Sequence, residues 1–336
     1  MTRRKLASLM DRRTFTGFSA GALLGLPLLT AAQQAGKVWR IGFLGGGARP
    51  ADGNAPAALR SALQALGYVE GKDIVYEARW AAARYERMPA LAAELLALKV
   101  DLIMTMGGPA AAAAKQATST IPIVVNGAGD VVETGLVASL ARPGGNITGV
   151  NDPETVMSSK RLQLLKEVVP TLKRVAVMWN PGDQAMTLRY REIERAAPLL
   201  RVSIEQHAVR EPADFDPAMA AINRTRPDAL MMVSDALTNM NVRRVIDYAA
   251  AQRIPDMYEN PEFVRGGGLM SFGSSGAERI KIVTESVAKI LKGAKPSDIP
   301  MEQPNRYLLA VNLKTAKALG ITVPVAVLLQ ANEVIE

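Results

Sequence analysis

Residue types able to do chemistry gather just after short apolar runs in this chain. Gly45-Gly46-Gly47, Trp80, Gly107-Gly108 and Asn126-Gly127, with Asp130 close behind, form one series. Trp179-Asn180, Ser234-Asp235, Tyr258-Glu259-Asn260 and Ser271-Phe272 form a second. Glycine brings backbone N–H groups close to a ligand, and a helix starting just after it presents a dipole-positive end that favours a carboxylate. Asp130, Asp235 or Glu259 can balance a ligand ammonium, and Trp80, Trp179, Tyr258 or Phe272 can stack on an apolar side chain. The candidate ligand-binding set is therefore Gly46, Gly47, Trp80, Gly107, Gly108, Asn126, Asp130, Asn151, Asn180, Ser234, Asp235, Tyr258, Glu259 and Phe272. Some of these types have structural readings as well: Gly45 to Gly47 as a strand-to-helix turn, Trp179 as packing, Asp130 as a helix N-cap.

Catalytic constellations fail one after another. The chain has no cysteine, which removes thiol nucleophiles, disulfides, cysteine-ligated zinc and iron–sulfur clusters. Its one histidine, His207, stands on a polar, edge-like strand, so a Ser–His–Asp triad would have to be built there; no G-x-S-x-G elbow or H-E-x-x-H helix is present. The dinucleotide fingerprint breaks at Pro50, where its last glycine should stand. No catalytic residue, metal ligand or cofactor is assigned, and a binding function is expected rather than an enzyme.

The elements that position these groups follow from periodicity. Brief apolar runs at 39–44, 74–78, 101–106 and 121–125 read as strands, and between them 56–66 and 89–98 place leucines on one helix face. The order then recurs: Arg174 to Trp179 parallels Arg40 to Leu44, Asp228 to Val233 parallels Asp101 to Met106, and Ile254-Pro255 parallels Ile121-Pro122. Offsets of 134, 127 and 133 residues indicate two similar α/β lobes with largely parallel strands. Candidate crossings between them lie near residues 151, 272 and 303. The lobes are expected to comprise 36–150 plus 273–303, and 151–272 plus 304–336. In open α/β sheets ligands collect beyond the carboxyl ends of the strands, where both polar series fall.

The 336 residues carry a formal charge of +8, but five basic residues and one acid precede residue 36, and without them the charge is +4. The remaining basic residues are scattered among acids, with no helix-turn-helix signature, which argues against nucleic acid. Residues 1–35 read as a signal peptide: a basic leader, an apolar run broken by Ser19, Gly21, Gly25 and Pro27, and small residues for cleavage after Ala32. Asp11-Arg12-Arg13-Thr14-Phe15 resembles a twin-arginine export motif, and Met10 just before it is the expected true start.

From Trp39 to Glu336 the chain resembles the ABC-transporter substrate-binding family related to tryptophan- and tyrosine-binding receptors. The segments that carry this are Leu66 to Gly71 (LGYVEG), Ala117 to Val124 (ATSTIPIV), Gly135 to Gly149 (GLVASLARPGGNITG), Lys160 to Lys166 (KRLQLLK) and Val311 to Gly320 (VNLKTAKALG). The resemblance implies a type I periplasmic binding protein fold: two Rossmann-like lobes joined by three hinge crossovers, closing on a small-molecule ligand. It implies delivery to an ABC permease with a cytosolic ATPase; the lack of a cysteine to lipidate points to a protein free in the periplasm, expected as a monomer. A ligand-sensing receptor for a signalling partner and a periplasmic enzyme are the alternatives. Phe272 stands where tyrosine is common, and Gly127 to Gly129 where larger apolar residues are expected.

Overall fold

The computed structural model describes residues 37–336, so the export leader, the start at Met10 and cleavage after Ala32 lie outside the described residues. The first sheet is made of β1 (Trp39–Gly45), β2 (Ile74–Trp80), β3 (Leu102–Met106), β4 (Ile123–Asn126) and β5 (Ile147–Gly149). Helices α1 (Ala57–Ala65), α2 (Met88–Ala97) and α3 (Gly108–Ala117) connect its strands. The order is β2-β1-β3-β4-β5, parallel throughout. Alternation sorts each strand's side chains onto two faces. Leu102, Met104 and Val124 meet α1 residues Leu59 and Leu63. Ile103, Ile123 and Val125 meet Leu91, Leu95 and Ala110 of α2 and α3.

The second sheet repeats the plan with β6 (Arg174–Trp179), β7 (Ser203–Ala208), β8 (Ala229–Met232), β9 (Asp256–Tyr258), β10 (Met270–Ser274), β11 (Tyr307–Asn312) and β12 (Glu333–Ile335). The helices among these are α4 (Glu154–Val168), α5 (Gln184–Ala196), α6 (Phe215–Thr225), α7 (Ala236–Met240), α8 (Val242–Gln252), α9 (Pro261–Arg265), α10 (Gly276–Leu291), α11 (Leu313–Leu319) and α12 (Val325–Leu328). The strand order is β12-β11-β10-β9-β8-β6-β7, with His207 on the edge strand β7. Met231 and Met232 are core residues on opposite faces of β8.

The chain changes sheets three times: between β5 and α4, between β10 and α10, and between Glu302 and β11. Helix α10 leaves the second sheet and packs Val283 and Val287 onto Ile41 and Phe43 of the first. Because the chain returns at the end it left, pairing Ser274 with Tyr307, β11 runs antiparallel to β10. Every other pairing in the second sheet is parallel. At the first and third crossings the strands are tied: the Asn151 N–H donates to the Glu302 carbonyl at 2.9 Å, and the Glu302 N–H donates to Gly149 at 3.0 Å.

One core carboxyl is set by burial rather than by charge. Asp256 accepts the Leu269 N–H at 2.6 Å and the Tyr258 hydroxyl at 2.7 Å, and faces no guanidinium there. Burial pushes its pKa from the ordinary 3.8 to about 6. A carboxyl raised on folding stabilises most below its unfolded pKa, and that contribution is lost as pH rises through the folded value. Asp256→Asn cannot titrate. Between about pH 4.5 and about pH 7.5 its urea-unfolding free energy should gain about 2 kcal/mol on that of the parent; a difference that does not move with pH refutes this assignment.

Candidate ligand-binding cleft

Between the carboxyl ends of the two sheets lies a cleft of about 720 Å³. From the first-sheet side it is bordered by Gly47, Met106, Gly107, Asn126 and Gly127. From the other side come Arg189, Ser234, Asp235, Glu259, Asn260 and Glu262, and the residues at two crossings, Asp152 and Glu154, Ser274 and Ser275, with Arg279 of α10, also border it. Gly107 has φ +96° and turns the chain from β3 into α3. At β8 the chain turns into α7 through a capping box, in which Asp235 Oδ1 accepts the Thr238 N–H at 2.7 Å and the Asp235 N–H donates to Thr238 Oγ1 at 2.9 Å.

The floor of the cleft is a buried charge network. Arg189 Nη1 lies 2.6 Å from Glu259 Oε2, and its Nη2 lies 3.2 Å from Asp152 Oδ2. Arg161 pairs with Glu154 seven residues earlier on α4, lies 3.4 Å from Glu259 Oε1, and donates through Nε to the Phe272 carbonyl at 3.0 Å. Arg279, near the start of α10, reaches Asp152 at 3.4 Å. Glu154 Oε1 also accepts the Ser274 N–H at 2.7 Å. Burial opposes ionisation of Glu154, but Arg161 and Arg189 outweigh it and hold the carboxyl down at about 2. For Asp152 and Glu259 burial prevails and pushes the pKa up. These acids face guanidinium groups, and among the described residues no cluster of three or more carboxylate or imidazole groups could hold a metal ion.

The two walls touch directly. The Tyr85 hydroxyl, from the segment after β2, donates to Asp235 Oδ2 at 2.7 Å, and Asn180 Nδ2 donates to the same oxygen at 2.7 Å. Burial and the Asp235 charge raise the Tyr85 pKa, so the phenol stays a donor. Tyr85 is brought there by an unusual turn. Ala82 and Ala83 have φ of 52° and 61°, a left-handed conformation that costs an L-residue about 1–2 kcal/mol. Their N–H groups, with that of Ala81, bond the Gly45, Gly46 and Gly47 carbonyls at 2.7 to 3.0 Å. Below the clasp, Asp183 caps α5 by accepting the Ala185 N–H at 2.9 Å, and a Cβ on Gly108 would stand 2.9 Å from its Oδ1. Burial, then the nearby Asp235, push Asp183 up to about 6.

Of the residues singled out from sequence, the cleft brings together Gly47, Gly107, Asn126, Gly127, Ser234, Asp235, Glu259 and Asn260. The others stand elsewhere for definable reasons. Gly46 offers its carbonyl to Ala83, and Gly108 opens α3 against Asp183. Trp80 packs on Phe43 with ring centroids 4.8 Å apart and donates to the Asn54 carbonyl. Asp130 spends Oδ1 on the Val132 and Glu133 N–H groups, in a turn rather than at the N-terminus of a helix. Asn151 accepts the Val131 N–H, and Asn180 positions Asp235. Tyr258 is fully buried against Phe263, and Phe272 packs against the second core and Tyr307. Trp179 stacks on Tyr190 at 4.6 Å.

Sequence reasoning did not single out Asp152, Glu154, Arg189, Ser274 or Arg279. The spacing of Glu154 and Arg161, two turns apart on one helix, was the available signal for part of this group. Arg189 and Arg279 meet their partners only through the tertiary fold.

Comparison with known proteins agrees with this geometry. Residues 49–335 match the family described as ABC transporter substrate binding protein. A tyrosine-binding protein of Clostridioides difficile (strain R20291) is 26% identical over 260 residues, covering 77% of this chain and 74% of that one. A solved conserved domain protein from Vibrio cholerae superposes with TM-score 0.81 at 26% identity, over 89% of this chain and 100% of that chain. The ABC domain from Streptococcus pneumonia in complex with L-Trp shares the fold, with TM-score 0.80 at 23% identity and the same coverage. With two α/β layers of the periplasmic binding protein type enclosing one cleft, and the family match running over nearly all of the described residues, the chain belongs to the ABC transporter substrate-binding protein family.

Proposed function

We propose that this chain is the exported, solute-capturing component of an ABC importer. Residues 36–150 with 273–303 act as one lobe and 151–272 with 304–336 as the other. A small solute enters the cleft, the lobes close around it, and the loaded monomer docks on a membrane permease driven by a cytosolic ATPase. The leader sends the protein to the periplasm and is removed after Ala32. Ser234, Asn126 and the backbone of Gly107 and Gly127 contact the solute, while Asp235 serves the closed form through Tyr85.

The observation that carries this reading is the cleft itself, bordered by both sheets and joined across by the Tyr85–Asp235 hydrogen bond. Its volume suits a small organic molecule, for which sites of about 300–1,000 Å³ are usual. The relative named for tyrosine binding supports a solute of that size. Three crossings let two lobes rotate while limiting their separation. Only contacts that are better in the closed form can shift the balance towards it.

Two outcomes are expected. In a thermal-shift panel of amino acids, organic acids and sugars at least one solute should raise the melting temperature, since free ligand at about 100-fold its Kd adds about 2.7 kcal/mol. A panel in which no solute stabilises the protein, while some solute is turned over, would favour an enzyme instead. Tyr85→Phe removes one hydrogen bond to a charged group, worth about 1.5–3 kcal/mol. The variant should show a larger radius of gyration than the parent by small-angle scattering without solute, and an equal one at saturation. Equal radii in both conditions would show that the clasp does not hold the lobes together.

A further inference from the structure

Resting on the capture reading, we propose that the cleft selects an organic carboxylate lacking an α-ammonium group, and that the carboxylate docks at the start of α10 on Ser274 and Arg279. The argument begins with the acids. An ammonium needs acceptor oxygens, and the carboxylates bordering the cleft are Asp152, Glu154, Asp235, Glu259 and Glu262. Each is already engaged. Asp235 accepts from Thr238 through Oδ1 and from Tyr85 and Asn180 through Oδ2. Glu154 holds the Ser274 N–H and Arg161. Glu259 divides its oxygens between Arg161 and Arg189. Asp152 accepts the Glu154 N–H through Oδ1 and faces Arg189 and Arg279 through Oδ2. Glu262, at the exposed rim, pairs with Arg265 at 2.5 Å. An incoming ammonium would have to share an oxygen that already holds a donor or faces a guanidinium.

Donors show the opposite balance. Ser274 borders the cleft, is only 7% exposed, and its buried hydroxyl meets no partner among the described residues. The Arg279 Nε and the Ser234 hydroxyl are likewise buried and unpartnered. Ser274 immediately precedes the N-cap of α10, a 16-residue helix whose first residues, Gly276 and Ala277, also border the cleft. The leading N–H groups of such a helix have no intrahelical acceptor and carry the positive end of its dipole. The acid of this first turn, Glu278, turns both oxygens away to the Asn305 and Arg306 N–H groups. Arg279 is a cation near the dipole-positive end, where a cation is disfavoured unless an anion sits nearby. Asp152 is its acid partner there, at a loose 3.4 Å, and Arg189 competes for the same oxygen. Unpartnered donors at this end, with the acids elsewhere already facing donors or guanidinium groups, favour a carboxylate.

The test is calorimetric titration with acids matched to amino acids of the same side chain: phenylpropanoate with L-phenylalanine, hydroxyphenylpropanoate with L-tyrosine, methylpentanoate with L-leucine, and a sugar panel beside them. At least one acid should bind about tenfold or more tighter than its amino acid, and Ser274→Ala and Arg279→Gln should each weaken that acid, the arginine change by about tenfold. An amino acid binding as tightly as its acid, or a sugar binding in place of all acids, overturns the carboxylate assignment and leaves solute capture standing. If no solute of any class binds, both readings fall. The matched-pair comparison uses the unsubstituted protein, so it decides the question even if Arg279→Gln does not fold.

Discussion

The arrangement of this protein depends on keeping three guanidinium groups and three carboxylates paired where the chain crosses between sheets. Asp152 and Glu154 come from the first crossing, Glu259 follows β9, Arg161 and Arg189 come from α4 and α5, and Arg279 from α10. Taking such charges out of water costs several kcal/mol per ion, and removing one partner of a buried pair is worse than removing both. The network therefore works as a register device. It is satisfied only when α4, α5, β9 and α10 meet at one place, and that place is the floor of the cleft. Arg161 adds a bond to the Phe272 carbonyl and Glu154 one from the Ser274 N–H, so β10 is held at the same point.

This explains which parts of the molecule are legible in the sequence. The strands and leucine-faced helices were, because period and length are local properties and each sheet is covered on both faces. The repeated order of elements was legible for the same reason. At the site, strand ends were located correctly, but residue type was a poor guide to which strand-end groups face the cleft. Trp80 and Tyr258 are aromatic groups beside a strand end whose rings are consumed by Phe43 and Phe263. Asp130 and Asn151 spend their oxygens on nearby backbone N–H groups. Arg189 and Asp152 are 37 residues apart, with nothing local linking them. The antiparallel β11 was also hidden, since its direction follows from the excursion of α10 to the other sheet.

Asp235 shows how one residue can look like a ligand contact and act as something else. Sequence reasoning made it a partner for a ligand ammonium. In the fold its two oxygens are divided between holding α7 and meeting Tyr85 and Asn180. Its charge is balanced by neutral donors rather than by a cation, and for a buried carboxylate that takes several hydrogen bonds at once. The donor from the opposite wall, Tyr85, is one of them. Without Tyr85, Asp235 would be short of a donor unless water replaced the phenol, so the same acid that orders a short helix also ties the two walls of the cleft together.

The seam around this clasp closes because side chains are missing there. A Cβ on Gly108 would stand 2.9 Å from Asp183 Oδ1, and one on Gly129, whose φ is +73°, would collide with Ala185. The positive φ at Gly129 would be strained for a larger residue whatever the space, whereas at Gly108 the constraint is the contact with Asp183. Of the small residues at 127–129, where larger apolar ones were expected, Gly129 thus has a mechanical reason besides cleft size: a side chain there would meet Ala185 of α5. Gly108 likewise leaves room for Asp183, whose burial raises the pKa of its carboxyl. Tight approach and ionisation are in tension at this seam, because burial removes water from an acid already facing Asp235. Backbone N–H donors at the start of α5 offset part of that cost, which is why a capping aspartate can be tolerated at the point of closest contact.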